Sequence, residues 1–242
     1  MDTSPARRST IFPGLQSWWW VTVAASIFAT TAAAGMVAKS FGPVSPELGL
    51  DIALSHGRNS ALTGLSEAIH YGLGPVGAVT LVLVICLYLL GVRRNPVQAV
   101  AFGSVVAAGW LASSAVKALV GRSRPPEDVT ASLVVETGHN SFPSGHTAFA
   151  VSLVLAAVLV LARSKGQRLA ALVAGSLFAA VVAFSRLYLG VHYLSDVVGS
   201  VFISTAAVLA WSPVWNTLIA PRIGRVQLIR KLDRTATDRT RG

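Results

Sequence analysis

The sequence predicts an all-α, polytopic membrane helical bundle with six transmembrane helices, and three observations carry that prediction. Hydrophobic residues make up 53% of the 242-residue chain and charged residues only 12%, with a mean hydropathy of +0.61, well above the balance of a soluble domain. Apolar stretches able to cross about 30 Å of hydrocarbon, which takes roughly 20 helical residues, recur along it. Basic residues crowd into alternate connections. Lipid offers no partner to an unpaired backbone group, so apolar spans of this length are helical.

The six spans fall at residues 18–38, 74–92, 97–120, 147–162, 169–188 and 197–215. Trp18, Trp19 and Trp20 open the first as an interfacial aromatic anchor. The TTAAAG stretch near its end resembles a signal-peptidase site, but an apolar run of about 20 residues exceeds the roughly 7 to 15 of a signal segment, so it is read as a retained span. Residues 39–73 form a long outer connection in which Leu62, Leu65 and Ile69 recur at helical spacing, predicting a short amphipathic helix on the outer surface. Asp51, His56, Glu67 and His70 in this connection have no chemical spacing and are read as solvated polar residues. GLGPVGAV opens the second span with small residues that permit close helix contacts, and Cys86 within it is read as a small packing residue. The fourth span is short and crosses only if residues 142–146 already lie at the membrane surface.

The net charge of +10 does not point to nucleic acid, because of where it sits. Arg7 and Arg8 precede span 1, Arg93 and Arg94 follow span 2, Arg163, Lys165 and Arg168 join spans 4 and 5, and seven more basic residues fill the tail. That is 14 of the 20 on one side, which the positive-inside rule assigns to the cytoplasm together with both termini. The chain reads as a single integral membrane domain over residues 1–242, with residues 216–242 as a basic cytoplasmic tail. Nothing in it signals an oligomeric state.

Polar groups at membrane spans are costly, so their clusters mark function. Three clusters fall on the outer side. In KALVGRSRP, Lys117 and Arg124 stand two helical turns apart and are expected to share a face, Pro125 is expected to end the helix, and Arg122, of opposite phase, is expected to face headgroups. Alone this reads more simply as a snorkelling lysine beside a loop arginine. In FPSGH, Pro143, Ser144 and Gly145 lead into span 4, leaving free backbone N–H groups and a positive dipole end, while His146 adds a titratable group. In SRLYLGVHYLSD, Arg186 ends span 5, and His192 and Asp196 share a face if helical, so the carboxylate can hold one ring nitrogen and leave the other as a nucleophile. Three cations, a helix N-terminus and two histidines on one side of one membrane suit a doubly charged phosphate.

Lys117 to Arg124-Pro125, then Pro143-Ser144-Gly145-His146, then Ser185-Arg186 to His192 to Asp196 resembles the three-part signature of the type 2 phosphatidic acid phosphatase family, matching at every signature position. The resemblance implies that family's six-span layout and its core shared with haloperoxidases, which are soluble where this chain is not. It implies His192 as the nucleophile forming a phosphohistidine, Asp196 as its orienting partner, and His146 as the acid that protonates the leaving lipid oxygen and the base that then activates water. Lys117, Arg124, Ser144, Gly145 and Arg186 would bind the phosphate, with no metal or other cofactor. His139 has no counterpart in the signature and is read as a loop histidine.

The expected activity is removal of phosphate from a lipid phosphate or diphosphate at the outer leaflet, with an isoprenoid diphosphate carrier favoured over phosphatidylglycerophosphate and phosphatidic acid. A phosphotransferase using the same intermediate, and a non-catalytic lipid-binding or transport protein, are the alternatives.

Overall fold

A computed structural model describes Phe12, Gly14, Leu15, residues 17–136, Gly138 and residues 140–223. His139 and most of the basic tail lie outside the described residues. Nine α-helices are defined there: α1 (Trp19–Ser40), α2 (Leu48–His56), α3 (Ser60–Gly72), α4 (Pro75–Gly91), α5 (Pro96–Val120), α6 (Glu127–Thr130), α7 (Gly145–Ala156), α8 (Lys165–Tyr188) and α9 (Leu194–Val214). Short π-helical turns extend α7 over Ala157–Leu161 and α9 over Trp215–Ile219. Among the described residues there is no strand, only an isolated bridge from Ser123 to Asn140.

Helices α5, α7 and α9 pack on one another; α1 lies along α9, α8 beside α7 and α4 against α5. Small polar residues let the central helices approach, and their hydroxyls are satisfied on backbone: Ser152 and Ser204 both donate to the Ala148 carbonyl, at 2.7 and 3.2 Å. Phe102, Val105, Phe149 and Val208 fill the space between. The Phe142 ring, just before the Pro-Ser-Gly-His turn, is gripped between α1 and α9, where a Cβ added at Gly35 or Gly199 would stand 2.5 Å from ring carbon. The outer surface is apolar, with Leu83, Leu87, Leu111, Leu119, Leu169 and Leu177 all exposed, as a lipid-facing surface requires.

Four helices are long and apolar enough to cross a membrane: Trp19–Ser40, Pro96–Val120, Lys165–Tyr188 and Leu194–Ile223. A fifth crossing exists only if α3 and α4, bent by 68° at their junction, count as one broken span. The segment Gly145–Leu161 is shorter, as its sequence indicates. Six crossings are thus not reached on length and composition alone.

The connection between α1 and α4 contains the expected short helix over Leu62, Leu65 and Ile69 as α3, which turns Ser66 inward and leaves Leu65 half exposed, and a further helix, α2, precedes it. Asn59 caps α3 by accepting from Leu62 N–H at 3.0 Å, and Tyr188 Oη at the end of α8 accepts from Asn59 N–H at 2.8 Å, fixing α3 over that end of the bundle.

Helix α5 also ends earlier than its proline suggests. Gly121 takes the left-handed conformation (φ 60°) and donates to the Lys117 carbonyl at 3.1 Å, while Lys39 from α1 caps the Val120 carbonyl at 2.9 Å. Lys117 and Arg124 therefore do not share a helical face: the first sits on the last turn of α5 and the second on the loop beyond it.

Candidate active site

An open cavity of about 480 Å³ lies at the end of the bundle where α3 meets α4, and its wall includes Lys117, Arg124, Gly145, His146 and His192. Arg186 reaches its edge through Glu136 and His70, which also line it. Ser144 and Asp196 are fully buried behind this wall. Each signature segment reaches the cavity by its own route.

Lys117 points its Nζ to the carbonyls of Asn140 and Ser141, at 2.8 and 3.1 Å, tying α5 to the turn before α7. Arg124 donates through Nε to the Gly138 carbonyl at 2.7 Å and through Nη1 to the Val191 carbonyl at 2.9 Å. Those backbone bonds lock the guanidinium with Nη1 3.2 Å from His192 Nε2. An arginine only donates, so Nε2 is the unprotonated nitrogen and the His192 proton resides on Nδ1, which faces Asp196 Oδ2 at 3.3 Å. Burial, then Arg124, Lys117 and Arg186, hold the His192 imidazole well below its ordinary range, so the ring is neutral at neutral pH.

Asp196 is aimed by its place in the first turn of α9. Its Oδ2 accepts from Tyr193 N–H at 2.9 Å, the backward reach of a carboxylate at the third helical position, which delivers it to His192 just before the helix. Ser141 Oγ also donates to Oδ2.

On the other side, Ser144 is the N-cap of α7, its hydroxyl facing Thr147 at 3.2 Å rather than the cavity. A Cβ built on Gly145 meets nothing within 4 Å, so the first turn of α7 leaves open space for a ligand against its backbone. His146 Nε2 donates to the His70 carbonyl at 3.0 Å, which leaves Nδ1 as the nitrogen that can exchange a proton.

Several residues read otherwise from sequence belong to this region. Arg122, expected among headgroups, is 1% exposed: Nη1 lies 2.8 Å from Asp196 Oδ1 and Nη2 lies 3.1 Å from Glu47 Oε1, with the guanidinium 4.0 Å above the Tyr193 ring. The helical phase used to place it does not hold beyond Gly121. His70, expected in solvent, stacks on His146 with ring centroids 5.5 Å apart and accepts at Nδ1 from Arg186 Nη1 at 3.1 Å. Asp51, also expected in solvent, is 1% exposed, and neither carboxylate oxygen has a partner among the described residues. Burial, then Asp196 and Glu47, push its pKa up to about 7 against the pull of Arg122.

Glu136 was singled out by no motif. Its carboxylate bridges the two cradle arginines, with Oε2 3.3 Å from Arg124 Nη2 and Oε1 on Arg186 Nη2, and stands 3.7 Å from His70 Nδ1. Burial alone raises its pKa, but Arg186 and Arg124 outweigh burial and hold it ionised below the usual carboxylate range. The sequence-level signal was charge balance: the positive-inside reading assigns seven of the ten acidic residues to the same side as the cradle cations.

A helical membrane protein with His70, His146, His192, Lys117, Arg124 and Glu136 on one cavity wall, and with Arg186 and Asp196 buried behind it, belongs to the class of membrane phosphatases. The family model of the PAP2 superfamily matches residues 98–220, and the chain belongs to that superfamily. It is 36% identical over 145 residues to the decaprenylphosphoryl-5-phosphoribose phosphatase of Mycolicibacterium smegmatis, covering 59% of this chain and 72% of that protein. In fold it is similar to the transmembrane PAP2 type phosphatidylglycerolphosphate phosphatase from Bacillus subtilis, with a TM-score of 0.61 over 80% of this chain and 93% of that one, at 22% identity. The chain is an integral membrane protein and a phosphatase of the PAP2 family.

Proposed function

We propose that the protein is a metal-independent phosphatase of an isoprenoid-borne phosphate, working at the outer leaflet through a phosphohistidine on His192. The observation that carries this reading is the cavity whose wall includes His192, His146, Lys117 and Arg124, with Arg186 held behind it on His70 and Glu136. In the first step Nε2 attacks phosphorus, a P–N bond forms as the P–O bond to the lipid breaks, and His146, protonated at Nδ1, gives that proton to the leaving oxygen. In the second, His146 takes a proton from water, the hydroxide attacks phosphorus, and the P–N bond breaks to release inorganic phosphate.

Asp196 stabilises the charge that builds on His192, and the three cations supply what phosphoryl transfer otherwise draws from metal ions. Gly145 opens the backbone N–H groups of α7 to the phosphate, and Ser144 holds the N-cap position of that helix with its hydroxyl on Thr147. The apolar part of the wall, with Leu73, Pro75, Val76 and Trp110 at the α3–α4 bend and on α5, supports a lipid chain leaving sideways toward the bilayer. Six crossings, with Gly145–Leu161 starting at headgroup depth, put both termini in the cytoplasm and the cavity outside, a reading that the distribution of basic residues supports. The mycobacterial relative's substrate supports an isoprenoid carrier.

The test is phosphate release by detergent-purified protein in EDTA across isoprenoid phosphates and diphosphates, phosphatidylglycerophosphate and phosphatidic acid, with His192→Ala alongside. Release from an isoprenoid substrate, abolished in the variant, is expected. Release only from glycerolipids contradicts the substrate, and loss of activity in EDTA contradicts the metal-free mechanism.

A further inference from the structure

Glu136 stands where the substrate's phosphate has to go. Its two oxygens occupy Arg124 Nη2 and Arg186 Nη2, and Arg124 is the same guanidinium whose Nη1 touches the His192 Nε2 that would attack phosphorus. A phosphoryl group within reach of Nε2 must therefore take both arginines from this carboxylate. The displaced Glu136 cannot go far: it sits on the loop between α6 and α7 and lines the cavity wall, with His70 Nδ1 3.7 Å away.

We propose that Glu136 is a specificity-determining residue: it stands in for phosphate in the empty cradle and, once displaced, selects a phosphate monoester carried on a neutral, hydroxyl-bearing group over a diphosphate. Charge counting supports this, resting on the assignment of the cavity to phosphate. Arg122 is committed to Asp196 and Glu47, so among the described residues the ligand meets Lys117 and Arg124 on the cavity wall and Arg186 once Glu136 has moved from in front of it, and Glu136 cancels one of these three charges. The remaining charge of two matches one phosphate dianion. A second phosphate next to the first would lie beside the displaced carboxylate without a further cation among the described residues, whereas sugar or glycerol hydroxyls donate to it.

The experiment uses the full chain in detergent with Glu136→Gln and Glu136→Asp, substitutions on a loop outside every helix. One arm measures binding of inorganic phosphate and orthovanadate, without turnover. The other compares kcat/KM for an isoprenoid-linked sugar phosphate monoester with that for an isoprenoid diphosphate. Glu136→Gln is expected to bind both anions at least tenfold more tightly and to lose at least tenfold of the monoester preference, while Glu136→Asp, which keeps the charge, keeps the preference. Unchanged or weaker anion binding in Glu136→Gln, a preference altered less than twofold, or equal loss in both variants overturns the proposal. A wild-type protein that cleaves neither lipid overturns the proposed function, while the anion-binding arm still decides whether Glu136 competes for the cradle.

Discussion

Arg122 and Asp196 form a fully buried ion pair behind the candidate nucleophile: Nη1 lies 2.8 Å from Oδ1, and the side chains are 1% and 0% exposed. Glu47, from the connection between α1 and α2, takes the second arm of the same guanidinium and also accepts from Ser195 N–H at 2.6 Å. The carboxylate that faces His192 Nδ1 is thus itself held by an arginine clamped from that connection.

Removing one partner of such a pair leaves an uncompensated buried charge. Arg122→Met is expected to cost about 3–5 kcal/mol of stability and most of kcat, with Arg122→Lys retaining part of both. Thermal unfolding and phosphate release check this, and a fully active, fully stable Arg122→Met would remove Arg122 from the support of Asp196.

The lowered pKa of His192 has a definite sign. The ring stays neutral, and so nucleophilic, as pH falls through the ordinary histidine range, and protonates only in stronger acid. Histidine NMR with ¹³C labelling, assigned by His192→Ala, should show a midpoint for this ring well below the ordinary histidine range, and Arg124→Gln should move it upward. A wild-type midpoint at about 6.5 contradicts the packing described here.

Asp51 gives the opposite dependence. Its folded pKa of about 7 lies above the ordinary value of 3.8, so its contribution to stability is fully present below the ordinary value and lost as pH rises through about 7. Asp51→Asn is expected to raise Tm by roughly 5 °C at pH 8 and to give no gain below about pH 4. An equal effect at both pH values would show that Asp51 does not titrate in this window.

Gly199→Ala would set a methyl group 2.5 Å from the Phe142 ring, which Gly35 grips from the other side. The expected cost is about 1–3 kcal/mol, with loss of activity because Phe142 seats the turn that carries Ser144, Gly145 and His146. An unaffected variant in thermal unfolding would show that the ring has room to move.

The signature residues were legible because charged and small residues are dense there against an apolar background, where each has a desolvation cost to justify. Even there, extending the α5 phase past Gly121 misplaced Arg122, since a left-handed residue resets the direction of every side chain after it. Glu136 and His70 were not legible as site residues, because their contacts with Arg186 span 50 and 116 positions and exist only once α3 lies over the bundle. The crossing count was blurred for a related reason: α4 is short and bent away from α3, so hydropathy alone does not reveal where a span starts.

The central claim is that His192 carries the phosphoryl group. Rapid quenching of the enzyme with a ³²P-labelled isoprenoid phosphate in EDTA, followed by peptide mapping, tests it most directly. An acid-labile, alkali-stable label on the peptide containing His192, absent in His192→Ala, is the expected result; phosphate release by His192→Ala at above about a tenth of the wild-type rate would contradict it.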